Sequence, residues 1–162
     1  MARRDGHVSA EEVLDRARYW GLRIATAESC TGGMIAAALT DVAGSSTVFE
    51  RGYVTYSNAS KVQLLGVREE TLAAHGAVSE QTAREMAEGA LQRAGVALAV
   101  AVTGVAGPGS SDFKPEGRVC FAVARTGRMT RVETVHFGAI GRAKVRAAST
   151  EHALALLLAA TE

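Results

Sequence analysis

A hydroxyl and a thiol stand side by side in Glu28-Ser29-Cys30-Thr31-Gly32-Gly33, a small, polar, flexible run of the kind that joins a strand to a helix. Consecutive backbone N–H groups near Thr31 to Gly33 would there point at a developing oxyanion, with Ser29 placed to attack. A serine in such a turn more commonly caps the helix behind it. A nucleophilic serine also needs a base. The four histidines, His7, His75, His136 and His152, fall in a tail, beside a glycine, late in a strand and in the last helix, and none is an obvious partner. Lys61 is the other choice, since burial that depresses its pKa would yield a neutral amine able to take the proton of Ser29. Tyr56 could relay or orient that proton. Ordinarily a helix lysine is solvated and a tyrosine packs its ring while its hydroxyl stays wet, so spacing alone favours the bland reading of both. Cys30 is a rival nucleophile because thiolates form readily at helix amino ends; a small buried residue is the plainer alternative.

Other groups could hold a ligand. Gly104, Gly107 and Gly109 let the backbone after Thr103 come close to a sugar or phosphate, although they do not spell G-x-G-x-x-G and no clear helix opens behind them. Arg142 and Arg146, one helical turn apart, could clamp a phosphate; surface arginines are the common alternative. Cys30 and Cys120 are the only cysteines, without paired spacing, so no disulfide framework, metal site or cofactor is expected.

The elements that must position these residues follow from periodicity and caps. Ser9 and Glu12 form a capping box before Val13, Leu14, Ala17 and Trp20, an apolar stripe that Gly21 closes. A strand is predicted over 22–26 and a helix over 34–39 behind the serine turn. Residues 47–50 and 53–56 read as one bent strand or two short ones, interrupted near Arg51-Gly52. Ser57 or Asn58 caps a helix through Lys61 and Leu65 to Gly66, and a shorter helix covers 69–74. Ser79 opens the clearest helix, with Ala83, Met86, Ala87, Ala90 and Leu91 on one stripe up to Gly95. The nearly continuous apolar run 97–103 is predicted to be a central strand covered on both faces. Segments 119–124 and 130–137 form an antiparallel hairpin with Cys120 in its core, and a last helix runs from Arg142 to about Ala160, with Val145, Ala148, His152, Ala155 or Leu156 available for its packed face. Together these predict an α/β fold: a three-layer α/β/α sandwich around a mixed, mostly parallel sheet. In such sheets ligands gather where strand carboxyl ends meet helix amino ends.

At 162 residues and 16.9 kDa the chain fits a single domain, 1–162, able to bury roughly 70% of its unfolded surface. Eighteen basic against seventeen acidic residues give a net charge of +1, which offers nucleic acid or an anionic membrane no broad attraction. The start MARRDGHVSAEEV lacks the apolar stretch of a signal peptide, and no window approaches the ~20 apolar residues of a membrane span. A soluble, cytoplasmic protein is expected, and a homodimer or higher homo-oligomer is the commonest assembly for one.

Taken together, TAESCTGG (26–33), AGSSTVFERGYVTYSNASK (43–61), GAVSEQTAREMAEGAL (76–91) and TGVAGPG (103–109) closely resemble the CinA carboxy-terminal-domain family. The similarity runs from about Glu11 to Leu158. The family's enzymatically active members are nicotinamide-nucleotide amidases, so the resemblance implies hydrolysis of nicotinamide mononucleotide, a small-molecule pyridine nucleotide, to nicotinic acid mononucleotide and ammonia, without metal or cofactor. It also implies a Ser–Lys arrangement with an assisting tyrosine, carried here by Ser29, Lys61 and Tyr56. Glu28, Cys30, Thr31, Gly32 and Gly33 of the first loop, Thr103, Gly104 and Gly107 of the second, and Arg142 and Arg146 are expected to face the substrate. Two departures stand out: the 107–117 loop is one residue shorter than the family's usual form, and Glu116 stands where a small apolar residue is common. The activity of the large amino-terminal domain that many relatives carry is not expected of this chain. A non-catalytic, competence-linked interaction module is the competing class, and the intact Ser29, Tyr56 and Lys61 argue against it. An oxidoreductase using Ser, Tyr and Lys is disfavoured because Tyr56-x4-Lys61 lacks the usual Tyr-x3-Lys spacing.

Overall fold

A computed structural model of the chain describes residues 7–162; the leading residues 1–6, on which part of the signal-peptide reading falls, lie outside the described residues. Six helices and five strands follow in the order α1 (Ala10–Tyr19), β1 (Ile24–Glu28), α2 (Met34–Thr40), β2 (Phe49–Val54), α3 (Asn58–Leu65), α4 (Glu69–His75), α5 (Glu80–Ala94), β3 (Leu98–Gly104), β4 (Arg118–Arg125), β5 (Arg131–His136) and α6 (Arg142–Ala159). The strands form one sheet in the order β2-β1-β3-β4-β5. Pairs β1/β2 and β1/β3 are parallel while β3/β4 and β4/β5 are antiparallel, so β4 alone runs against the other four. The expected three-layer α/β/α sandwich is thus the fold. Among the described residues no helix is long and apolar enough to cross a membrane.

Strand alternation gives the sheet two unlike faces. Ile24, Leu98, Val100, Val102, Val119, Phe121 and Val123 point to the side covered by α1, α2 and α6. Ala25, Ala27, Ala99, Ala101, Cys120, Ala122 and Ala124 point the other way, where α5 lays Ala83, Met86, Ala87 and Ala90 against them. Small residues on both surfaces let α5 lie close to the sheet, and α3 in turn packs on α5. Gly89 makes that second contact close: a Cβ there would fall 1.9 Å from the carbonyl oxygen of Leu65.

The caps sit where the sequence put them. Ser57 and Ser60 make a reciprocal capping box at the start of α3, which ends at Gly66 in the left-handed region, and Ser79 caps α5. Four expectations are corrected. β1 lies two residues later than predicted, because Leu22 is spent closing α1 through its N–H to Ala17 O at 2.8 Å. Trp20 leaves the core and is 52% exposed, edge-on to Tyr19. Of the two readings left open for 47–56, one bent strand holds, although it ends at Val54 and the irregularity lies between Phe49 and Arg51 rather than at Arg51-Gly52; Gly52 stays because a Cβ would come within 2.6 Å of Thr26 Oγ1. The buried face of α6 carries Val145, Ser149, Ala153, Leu156 and Leu157, whereas Ala148, His152 and Ala155 are only half-buried. His152 is drawn aside by Glu133 on β5 and by the ring of Phe121.

Candidate active site

The carboxyl ends of β1, β2 and β3 share one edge of the sheet, and the chemistry proposed from sequence gathers there. Ser29 follows β1 directly and its N–H continues the ladder to Val102 O at 3.0 Å. Because Ala25 and Ala27 face α5, the alternation turns Ser29 the same way, toward α3. Lys61, one turn into α3 and 1% exposed, reaches down so that Nζ lies 3.0 Å from Ser29 Oγ and donates to the carbonyl oxygen of Thr55 at 2.8 Å. The two residues that sequence spacing could not join are in direct contact. Among the described residues Lys61 forms no ion pair, and burial lowers its pKa from 10.5 to about 8, because the charged form loses its hydration without an anion to replace it.

Ser29 is not the helix cap that its position first suggests. Glu28 does that work: one carboxyl oxygen accepts from Thr31 Oγ1 at 2.6 Å and Ile35 N–H at 2.9 Å, the other from Ala36 N–H at 3.1 Å. Glu28 is fully buried, so it holds the turn from beneath rather than meeting a ligand. It also occupies the donors of α2's first turn, and the N–H groups left for an oxyanion are those of the turn itself. Among the described residues Cys30, Thr31 and Gly33 N–H find no acceptor on another residue.

The remaining candidates divide. Burial raises the Cys30 thiol to about 11, leaving it protonated and unreactive at neutral pH. Thr103 is 1% exposed and donates to Ala77 O at 2.9 Å, fixing the entry to α5. Tyr56 is brought to the same edge, but its hydroxyl accepts from Arg142 Nη2 at 2.9 Å and bonds to neither Ser29 nor Lys61, while its ring is 63% exposed. Arg142 also donates to Gly107 O at 2.8 Å, and Arg146 donates to Cys30 O at 3.1 Å, so both arginines of the expected phosphate clamp hold the protein's own loops. Gly104 and Gly107 serve packing: a Cβ on Gly104 would strike Val119, and one on Gly107 would strike the carboxyl of Glu116. Glu116 fills the space beneath the 107–117 loop and accepts from Gly109 N–H at 3.2 Å.

None of the four histidines bonds to Ser29, and among the described residues no cluster of His, Cys, Asp and Glu could hold a metal. A groove of about 380 Å³ opens at the amino end of α5 beside Lys114, Arg118 and His136, off the Ser29–Lys61 pair. The residue that sequence reading missed is Thr55, whose contribution is a backbone carbonyl and so has no signature in side-chain type.

The family model described as the CinA C-terminal domain matches residues 7–161. A CinA-like protein of Chloroherpeton thalassium is 59% identical over 120 residues, which make 74% of this chain and 29% of that protein. The nicotinamide-nucleotide amidohydrolase PncC of Escherichia coli K12 is 54% identical over 127 residues, 76% of this chain and 77% of its own. Among solved structures, the competence/damage inducible protein CihA of Agrobacterium tumefaciens matches over all of both chains with a TM-score of 0.86 and 45% identity. The competence or damage-inducible protein of Enterobacter asburiae gives a TM-score of 0.90 at 36% identity, over 94% of this chain and 96% of that one. The chain spans 29% to 34% of the length of several longer relatives. With the family model matched almost end to end and the same fold at 36% to 45% identity, the chain belongs to the CinA C-terminal domain family.

Proposed function

We propose that this chain is an amidohydrolase that converts nicotinamide mononucleotide to nicotinic acid mononucleotide and ammonia, with Ser29 as nucleophile and Lys61 as its base. The observation that carries the reading is the 3.0 Å approach of Lys61 Nζ to Ser29 Oγ in a buried setting that brings the amine to about 8. The 54% identity to an enzyme named for this substrate points to the carboxamide. As a neutral amine, Lys61 gives one N–H to Thr55 O and turns its lone pair to the Ser29 hydroxyl. Ser29 Oγ attacks the carboxamide carbon while its proton passes to Nζ, and the oxyanion is met by N–H groups of the 30–33 turn. The lysinium then returns the proton to the departing nitrogen, which leaves as ammonia, and the acyl group stays on Ser29 as an ester. Water deacylates that ester by the same path in reverse, losing a proton to Lys61. The exposed ring of Tyr56, its hydroxyl anchored on Arg142, offers a face to the cationic pyridinium.

Ammonia release from nicotinamide mononucleotide by the purified protein in chelator-treated buffer tests the reading. Turnover that is lost in Ser29→Ala and Lys61→Met supports it. A wild-type protein that leaves the mononucleotide intact would end it.

A further inference from the structure

Arg146 sits on α6, more than a hundred residues from the serine turn, yet its guanidinium donates into that turn twice: Nε to Cys30 O at 3.1 Å and Nη2 to Thr31 O at 3.4 Å. Three successive carbonyls of the turn are held, two of them by Arg146. Ser29 O accepts from Gly32 N–H at 3.0 Å, Cys30 O from Arg146, and Thr31 O from Arg146 and from Met34 N–H at 3.0 Å. In a planar trans peptide the C=O and the following N–H point in opposite directions, so fixing the carbonyls of Ser29 and Cys30 also fixes the N–H groups of Cys30 and Thr31. Both of these N–H groups lack an acceptor on any other described residue, and they belong to residues 6% and 0% exposed. A buried donor with nothing to bond costs stability, and an active site retains such donors for charge that appears only during reaction.

We propose that Arg146 is a positioning residue that aims the Thr31 N–H directly, and the Cys30 N–H by way of the Gly32 N–H that holds Ser29 O, at the oxyanion, a role that rests on Ser29 being the acylated residue. The planar fork suits two neighbouring carbonyls in a way that a lysine ammonium does not. Gly32 leaves the passage open, since a Cβ there would lie 3.3 Å from Nη2. Arg146 therefore acts on the substrate's carbonyl through the turn, and its guanidinium is not the phosphate clamp that its place on the helix suggested.

The test compares wild type, Arg146→Ala and Arg146→Lys by two measurements: kcat and KM for nicotinamide mononucleotide, and the rate at which an alkyl fluorophosphonate labels Ser29, read by mass spectrometry. The probe carries no ribose phosphate but calls on the same oxyanion donors. In Arg146→Ala, kcat and the labelling rate fall together by on the order of 10²-fold while KM stays nearly unchanged. Added guanidinium ion restores part of both, and Arg146→Lys lies between. A rise in KM with kcat and labelling intact would show a phosphate ligand and overturn the proposal. So would losses that neither guanidinium nor lysine relieves, accompanied by loss of the cooperative thermal transition, because Arg146 would then be only structural. Wild type that labels at Ser29 but leaves the mononucleotide intact rejects the substrate and not this role; wild type that does not label rejects both.

Discussion

In the proposed mechanism two atoms 3.0 Å apart, Lys61 Nζ and Ser29 Oγ, carry the chemical burden, and the protonation of the amine sets when the site can work. The base must be the neutral amine, and its population rises as pH climbs through a value of about 8. The kcat/KM profile should accordingly rise from pH 6.5 to 9 along a limb with an apparent pKa near about 8, since this parameter reports groups of the free enzyme. A profile flat across that interval excludes Lys61 as the base. Ser29→Ala and Lys61→Met are each expected to lower kcat by at least ~10³-fold, and Lys61→Arg should be as inactive as Lys61→Met because a guanidinium does not deprotonate. Cys30→Ala should keep activity within a few fold of wild type, its thiol being held protonated by burial. Inactive Cys30→Ala beside active Ser29→Ala would reverse the assignment of the nucleophile.

At the scale of elements, the pair exists because α3 is seated at a fixed height above the sheet. Alanines pave the sheet under α5, Gly89 admits the carbonyl of Leu65, and Lys61 hangs from the same helix one turn earlier. Gly89→Ala would drive a methyl into that carbonyl at 1.9 Å. Overpacking of this kind costs about 1–3 kcal/mol, and a displaced Lys61 lowers kcat with less effect on KM, since a misplacement of ~1 Å can cost ~10²-fold. Denaturant unfolding and steady-state kinetics on this variant, with the exposed Gln92→Ala as control, check both; Gly89→Ala with unchanged kcat would mean that α3 is not held by this contact. The sequence made α5, α3 and β3 legible because each is bounded by a serine cap, a left-handed glycine or an unbroken apolar run. It left open whether β2 was one bent strand or two, because Gly52 marks a neighbour's hydroxyl and not a turn. The packed face of α6 was hidden too, because Ser149 is buried by bonding back to Val145 O, and a polar residue on an apolar stripe breaks the pattern read from composition. Within the site, residue types offered Ser29 and Lys61 only as candidates beside plainer readings, and the family resemblance singled them out. The cap supplied by Glu28, seven and eight residues ahead of its partners, and the grip of Arg146 on two carbonyls depend on the folded chain and leave no periodic trace.

For the molecule as a whole, Lys61 is a liability that folding must absorb. Its amine is placed at 1% exposure with a carbonyl and a hydroxyl for company and no counter-ion among the described residues. Unfolding returns it to water and to its ordinary pKa of 10.5, against about 8 when folded. Between those values the unfolded chain binds more protons than the folded one, so stability must rise with pH across that window. Below about 8 both states carry the proton, and the folded state bears the full desolvation cost. Lys61→Met has no such group, and all other titrations remain common to the two proteins. The difference in unfolding free energy, wild type minus Lys61→Met, is therefore expected to increase from pH 8 to pH 10 and to level off below about pH 7, as measured by urea unfolding in a pH series. A difference that stays constant across the series would mean that the amine is as well solvated in the folded protein as in the unfolded chain. The base would then lose the depressed pKa on which its proposed action at neutral pH depends.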